Sequence, residues 1–374
     1  VMIRIMQVLT DTNVGGAGIW LLNYLKTYCR ERFEMVVVLP AGSALIPMAE
    51  ETGVRVVTAE KIADQSFSVP GIRELREIMI REEPDVVHTH ASLSARIAAR
   101  LEKIPVVNTR HCLEPPKKHL KRFVYQFLNN ALSDRVIAVS EAVMENLLQD
   151  GIKADKLRIV YNGITPLREY SPQDRRLLRR EHNIPDKATV VGIVARLEPV
   201  KNHAMFLEAA KFVATACPDA LFMIVGDGSL RQELEKQAEP LGERVLFTGY
   251  LPDVTDAVNM MDILTLTSEH EALSISLIEG MSIGKPAVAT KSGGPSEVIE
   301  QGISGILVDP NDAVGFSMAV IRLIQNPLAQ KQFGDYGRKI VKEKFMASEM
   351  AKKVEKIYDE LAEDVGEATE GESR

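Results

Sequence analysis

Two carboxylates and two cations are the side chains best placed to do chemistry. Glu271 and Glu279 stand eight positions apart in SEHEALSISLIEGMSIGKPAVAT, and Glu279 lies in an otherwise apolar, small-residue run. An ionised carboxylate in such a run is costly to bury unless something hydrogen-bonds it. The pair therefore suits two polyhydroxylated groups of one ligand. Upstream, VVGIVARLEPVKNH sets Arg196 and Lys201 just after a hydrophobic strand, with Pro199 stiffening the loop between them. Cations at a strand's carboxyl end suit a diphosphate, the arginine as a planar fork and the lysine as a point charge. The plainer alternative is surface pairing with Glu198 or Glu208. Glycine loops follow other strands: VGDGSL (Gly226, Asp227, Gly228), FTGYLPD (Gly249, Tyr250) and SGGPSEV (Gly293, Gly294). Each alone is turn chemistry; several at one sheet edge make a crevice. Near the start, TDTNVGGAGIW puts Gly15 and Gly16 at the opening of a helix, where backbone amides suit an anion.

These residues need elements to aim them. The segment around the acidic pair reads as a strand (Ile263–Thr267), a loop, then a helix from about Ser274 to Ile283. Glu271 then falls beyond the strand's carboxyl end and Glu279 on the second helical turn. Open α/β sheets bind ligands in that crevice. Strand and helix patterns alternate along the whole chain, which predicts parallel sheets covered on both faces. Strands are expected near Ile3–Leu9, Met35–Leu39, Val54–Val57, Val86–His90, Val106–Thr109, Arg135–Val139 and Leu157–Tyr161. A first helix is expected from about Ala17 to Cys29. The Pro-rich, charged stretch 164–186 reads as a linker and entry helix. A second series follows, with strands near Thr189–Val194, Leu221–Val225, Val245–Phe247, Ile263–Thr267, Ala287–Ala289 and Gly305–Val308. The expected fold is α/β, two doubly wound Rossmann-like domains facing each other across a cleft. Their bounds are 1–165 and 166–345, with 346–374 a C-terminal helix returning to the first domain plus an acidic tail.

Composition narrows the class. A chain of 374 residues is too long for one compact core. Hydrophobic residues at 45% and charged residues at 26% suit a soluble enzyme. Net charge is −7, spread as +2 over residues 1–165 and −9 over the remainder, which gives nucleic-acid binding no support. Cys29, Cys112 and Cys217 are widely spaced and odd in number, fitting a reducing cytosol rather than disulfides or a zinc site. MIRIMQVL reads as a strand rather than a signal peptide, and no run approaches transmembrane length. A cytoplasmic protein is expected. A dehydrogenase is disfavoured: the first glycine loop is GGxG rather than GxGxxG, and the second strand, ending VVVLPAG, lacks the acidic residue that holds a nicotinamide ribose. No Asp-x-Asp pair occurs, so no metal or other cofactor is expected.

GGAG, ARLEPVKNH, GDGSLRQEL, the Glu271/Glu279 pair, GKPAVAT and SGGPSEVI occur in the order seen in retaining glycosyltransferases of the GT-B fold. The chain resembles their family 4 (glycosyl transferases group 1), which includes bacterial mannosyl-, glucosyl- and N-acetylglucosaminyl-transferases. The likeness covers nearly the whole chain. It implies that Glu279 accepts hydrogen bonds from the ribose of a sugar nucleotide, UDP- or GDP-linked. Glu271 would hold hydroxyls of the transferred sugar, with amides near Leu273, Ser274 and Ile275 touching sugar and phosphate. Arg196 and Lys201 would bind the diphosphate and stabilise its departure, with Tyr250 also on the donor side. Gly16 would let the first loop approach the distal phosphate. His111, in PVVNTRHC, matches the family's histidine at the sugar and acceptor. The chain departs from the family where Glu271-Ala272-Leu273-Ser274 replaces Glu-Gly-Phe-Gly, at the sugar end of the site. The resemblance further implies attack by an acceptor hydroxyl on the face the diphosphate leaves, that phosphate taking the proton. A cell-envelope glycan or glycolipid product is expected.

Two rivals share these residues. A sugar-nucleotide epimerase on the same architecture needs acid/base groups around the sugar carbon, and beyond His111 no such set stands out. A non-catalytic sugar-nucleotide-binding protein would use the same four charged groups. On the acceptor side, which would take a glycan, a lipid-linked or a small-molecule substrate, PPKKHLKRFVYQFLNNAL places Leu120, Phe123, Val124, Phe127, Leu128 and Ala131 on one helical stripe. Lys117, Lys118, Lys121 and Arg122 crowd its opening. The plainer reading packs that stripe on its own domain; the sharper one rests the basic end on an anionic membrane.

Overall fold

The computed structural model describes residues 2–115 and 119–372. The chain forms two compact units, Val1–Ile164 with Met346–Arg374, and Thr165–Phe345. The first is built on seven parallel strands: β1 (Ile3–Val8), β2 (Phe33–Pro40), β3 (Arg55–Ala59), β4 (Val86–Thr89), β5 (Val106–Arg110), β6 (Arg135–Ala138) and β7 (Leu157–Ile159), in the order β3-β2-β1-β4-β5-β6-β7. The second has six: β8 (Thr189–Val194), β9 (Ala220–Val225), β10 (Val245–Gly249), β11 (Ile263–Leu266), β12 (Ala287–Thr290) and β13 (Gly305–Val308), ordered β10-β9-β8-β11-β12-β13. All neighbours pair in parallel. Both sheets are doubly wound and Rossmann-like, the two building blocks of the GT-B class, and every strand expected from the sequence forms. Each sheet reverses its strand order once, between β1 and β4 and between β8 and β11. A crevice opens at such a switch point, outside the strands' carboxyl ends.

Strand alternation decides what each face of the first sheet holds. Ile5 and Leu9 of the first strand and its extension, Val86 of β4 and Val107 of β5 share one core with Trp20, Leu21 and Leu25 of the helix Gly16–Leu25. Met6, Val8, Val87 and Val106 point the other way, into a core with Leu75, Ile78, Ala95 and Ala98. Both faces being covered, these strands are near-continuous apolar runs. The long helix Ala347–Glu372 joins the first of these cores through Met350, Ala351, Val354, Ile357, Tyr358 and Leu361, one stripe at helical spacing. The helix Gly16–Leu25 stops short of the expected Cys29: the Thr27 and Tyr28 amides share the Tyr24 carbonyl, and the Cys29 amide donates to Glu355 Oε1 at 2.8 Å. Serine side chains start several helices by accepting the third-position amide, as Ser92 does from Ala95 and Ser140 from Val143.

The helix His119–Leu132 departs from the plainer expectation. Phe123, Val124 and Phe127 are 66%, 48% and 64% exposed, so the apolar stripe does not face the core. Its inward anchor is polar instead: buried Asn129 accepts from Arg96 Nη1 at 2.6 Å, and Asn130 Nδ2 donates to the Gly151 carbonyl at 3.1 Å. Arg122 is exposed; Lys117 and Lys118, and the side chain of Lys121, lie outside the described residues.

In the second unit, Asp262 ties the entry helix Pro172–Glu181 to the sheet. Its carboxylate accepts from Arg175 Nη2 at 2.5 Å, Arg179 Nη2 at 2.6 Å and the Val190 amide at 2.8 Å. Burial works to raise this carboxyl, but the two guanidinia outweigh it and hold it below the ordinary aspartate range. A depressed carboxyl adds stability above its unfolded value, near pH 4, that is lost as pH falls through the folded value. Asp262→Ala should destabilise this unit by about 3–5 kcal/mol, because it strands two guanidinia against a buried edge. Asp262→Asn should also flatten the acid-side loss of stability. Urea unfolding at pH 7 and pH 4 checks both, and equal midpoints for variant and parent would remove the ion cluster from the account.

Candidate active site

The site residues of the second unit gather on the loops that leave β8 and β11, the two strands flanking the switch point. Lys201 ends the short helical turn Pro199–Lys201 after β8, and Glu271 follows β11. Lys201 Nζ donates to Glu271 Oε2 at 2.5 Å, with side chains 19% and 11% exposed. Ser268 Oγ donates to the same oxygen at 3.0 Å. Two bonds lock the loops together: the Glu269 amide donates to the Val200 carbonyl at 2.9 Å, and the Thr267 hydroxyl donates to the Lys201 carbonyl at 2.9 Å. The two residues expected to hold different parts of a ligand thus hold each other first. The pairing uses one of three ammonium donors and one of two carboxylate oxygens. The remaining N–H groups and Oε1 carry no bond to any described residue.

Glu271 is also fixed through its backbone. Its amide donates to Ser292 O, and its carbonyl accepts from Gly294 N, both at 2.8 Å. Gly294 is required here by close approach: a β-carbon would lie 2.1 Å from the Ala272 carbonyl oxygen. The glycine loop after β12 therefore templates the segment 271–274. Ser274 is the N-cap of the helix Ile275–Ser282, its Oγ accepting from Leu277 N at 3.3 Å, and both Leu273 and Ser274 are buried. The helix starts at Ile275, one residue later than expected. Its first-turn amides at Ile275 and Ser276 have no intrahelical carbonyl. The serine that replaces a family glycine thus serves the helix start.

Glu279 stands on the second turn of that helix, as expected, and its carboxylate has no hydrogen-bond partner among the described residues. Burial, with a smaller push from the charge on Asp253, raises it from 4.5 to about 7. Arg196, after β8, is exposed and makes no ion pair among the described residues. Glu198 instead accepts from Ser229 Oγ at 2.8 Å and Ser229 N at 3.2 Å, so the surface pairing considered for Arg196 does not form. Nor does Lys201 pair with Glu208. Tyr250, 55% exposed, follows β10 two strands from the switch point.

The first unit brings Gly16 and His111 to its own switch-point edge, after β1 and β5. A β-carbon on Gly15 or Gly16 would meet nothing within 4 Å, so the space above this helix start is open. His111 is not a lone histidine. Its Nε2 lies 2.8 Å from His90 Nδ1, and the two rings stack at 5.1 Å between centroids, with His88 stacked on His90 at 4.9 Å. Trp20 packs edge-on against all three. Gln7, His88 and His90 were missed in the sequence. The signal lay in HTH at the end of β4, where alternate positions put both imidazoles on the face that carries Gln7. Burial keeps all three histidines neutral: His90 is pushed down to about 3, and His88 and His111 fall well below 6.5 for the same first cause. Cys29, Cys112 and Cys217 are free thiols. Among the described residues no group of three His, Cys, Asp or Glu side chains is arranged to hold a metal ion.

The family model "Glycosyltransferase Family 4" matches residues 14–168, and "Glycosyl transferases group 1" matches residues 174–340. The chain belongs to the family 4, group 1 glycosyltransferases. It is 28% identical over 307 residues to N-acetyl-alpha-D-glucosaminyl L-malate synthase of Bacillus anthracis, covering 78% of each chain. Identity is also 28%, over 302 residues, to the UDP-Gal:alpha-D-GlcNAc-diphosphoundecaprenol alpha-1,3-galactosyltransferase of Escherichia coli, covering 76% of this chain and 77% of that one. Among solved structures, Anabaena HepE in complex with UDP and glucose superposes with a TM-score of 0.86 at 24% identity, covering 96% of this chain and all of that one.

Proposed function

We propose that this glycosyltransferase moves a sugar from a UDP- or GDP-linked donor to an acceptor hydroxyl with retention of configuration, in cell-envelope glycan or glycolipid synthesis. The observation that carries the reading is the Lys201–Glu271 pair across the β8/β11 switch point, with Arg196 in no ion pair and the Glu279 carboxylate in no hydrogen bond among the described residues. The UDP-Gal in the name of the Escherichia coli relative supports a uridine donor. The diphosphoundecaprenol in that relative's name supports a lipid-linked acceptor.

On this reading the free N–H groups of Lys201 and the fork of Arg196 meet the diphosphate and stabilise the charge that grows on it as it leaves. Fixed cations act there without reorganising, so the proposed chemistry needs no metal. Glu271 Oε1 accepts hydroxyls of the transferred sugar, and the ionised Glu279 accepts those of the ribose. Amides at the start of the helix Ile275–Ser282 touch the sugar-phosphate junction. The acceptor hydroxyl attacks on the face the phosphate leaves, and the departing phosphate takes its proton.

Lys201→Ala should lower kcat by about 100-fold or more while weakening UDP binding less than tenfold, because the charge it meets develops in the transition state. Steady-state rates with calorimetry of UDP decide it, and an unchanged kcat removes Lys201 from the reaction. Glu279 gives a pH signature. With the carboxyl near 7 in the free protein, its ionised, hydroxyl-accepting form dominates above that value and is lost below it. UDP affinity should therefore decline as pH drops from 8 to 6, by at most about tenfold per unit for one proton. Glu279→Gln should weaken binding at pH 8 and flatten that dependence relative to the parent. The same profile in both proteins refutes the ribose role.

We further propose that the protein works at an anionic bilayer, the cytoplasmic face of a membrane. Among the described residues no helix is long and apolar enough to cross one. The support is the outward face of the helix His119–Leu132, where exposed Phe123, Val124 and Phe127 adjoin exposed Arg122 in the basic run KKHLKR. Apolar rings beside basic side chains suit the headgroup boundary of anionic lipid. Flotation with phosphatidylglycerol vesicles should carry the parent upward. It should fail when Lys117, Lys118, Lys121 and Arg122 are replaced by Glu, and equal flotation of that variant would count against the contact.

A further inference from the structure

The polar groups buried on one face of the first sheet form a single chain of hydrogen bonds. Strand alternation puts Gln7, His88 and His90, and Thr109 and His111, on the face that also receives Tyr358 from the helix Ala347–Glu372. Gln7 sits at its centre. Its Nε2 donates to Tyr358 Oη at 2.8 Å, and its Oε1 lies 3.1 Å from His90 Nε2. With the Gln7 amide in this orientation, its nitrogen toward Tyr358 and its oxygen toward His90, the direction of every proton follows. An amide oxygen only accepts, so His90 Nε2 carries the hydrogen. Neutral His90 is then bare at Nδ1, and His111 Nε2, at 2.8 Å, must be the donor. On the other arm, Tyr358 accepts from Gln7 and gives its own proton to His88 Nδ1 at 2.5 Å. His88 Nε2–H in turn donates to Thr109 Oγ1 at 2.6 Å.

The chain ends at His111 Nδ1, which is buried and has no partner among the described residues. A neutral imidazole whose Nε2 is the donor has a lone pair there and nothing to give it to. We propose that Gln7 and His90 are positioning residues that hold His111 in the Nε2–H tautomer and in plane, so that its Nδ1 accepts a hydroxyl of the donor sugar or of the acceptor. The inference deepens the glycosyltransferase reading and rests on it for the identity of the hydroxyl. A charged imidazolium would present a second N–H and repel such a donor; burial among neutral rings prevents that. The second-sphere fixing of a histidine by its other nitrogen is a general device.

The tautomer is measurable without substrate. Two-bond ¹⁵N–¹H spectra of the full chain labelled with ¹⁵N-histidine, assigned with His111→Gln, should show His111 Nδ1 as a bare, pyridine-type nitrogen and Nε2 as protonated. A protonated Nδ1 overturns the proposal. In turnover, with UDP-glucose and UDP-N-acetylglucosamine as donor probes, His90→Leu should lower kcat by about tenfold to 100-fold with KM nearly unchanged. His90→Asn keeps an acceptor amide near the Nδ1 position and should restore most of the rate. Equal loss in both variants at matched melting temperature assigns His90 a packing role only and overturns the proposal, as does full activity in His90→Leu. Release of UDP without acceptor separates the two hydroxyls. A deficit in hydrolysis as well as transfer points to the sugar, a deficit in transfer alone to the acceptor. If the parent consumes no sugar nucleotide, the functional reading falls, while the nitrogen spectrum still decides the tautomer.

Discussion

A lysine from the loop after β8 and a glutamate from the loop after β11 meet at 2.5 Å, and the second unit's site is arranged around that contact. The sheet's strand order separates these loops by one reversal, where a crevice opens in such folds, and the ion pair joins its two sides. Such a pair costs desolvation on both partners and contributes little net stability unless other bonds support it. Here Ser268 adds a second donor to the shared oxygen, and two loop-to-loop bonds fix the geometry. Its value lies in what it leaves over: two ammonium hydrogens and one carboxylate oxygen, already aimed, with their neighbours unable to drift.

Glu279 and Arg196 stand in contrast to that pair. Glu279 is partly buried with no hydrogen-bond partner among the described residues, and burial raises its carboxyl to about 7; Arg196 is exposed, with no ion pair among those residues. A site that binds a doubly charged, hydroxyl-rich ligand benefits from both states. On the proposed reading the partly buried acid would gain partners when hydroxyls arrive, and the exposed guanidinium would give up little to meet a phosphate. The first unit solves a different problem with neutral groups. Its stacked imidazoles carry no charge, so they can sit in a core with Trp20 without counter-ions.

Much of this was legible in the sequence. Parallel strands covered on both faces are continuous apolar runs, and all thirteen stood out between turn residues. The order of loops at their carboxyl ends followed. Lys201, Glu271 and Glu279 were recognisable because charged residues at strand ends and in apolar helices are chemically conspicuous. What the sequence hid were relations between distant segments. Nothing in VKNH or SEHE says that Lys201 and Glu271 touch. The stripe of the helix His119–Leu132 had the right period but the wrong facing, because Asn129 and Arg96 make an inward hydrogen bond that outcompetes Phe123 and Phe127. The Gln7, His90 and Tyr358 contacts join residues up to 351 positions apart, which no local pattern encodes.

That last separation has a consequence for biosynthesis. The first unit takes its sheet from residues before 165 but its closing helix from residues after 346, with the whole second unit spelled out in between. During translation the early sheet must wait, its Gln7 amide and imidazoles facing a gap, until the helix that carries Tyr358 leaves the ribosome and docks. Domains usually fold in the order they emerge; this one completes last although it starts first. A chain that stopped short of Tyr358 would therefore hold a complete second unit and a first sheet whose Gln7 and His88 lack their hydrogen-bond partner.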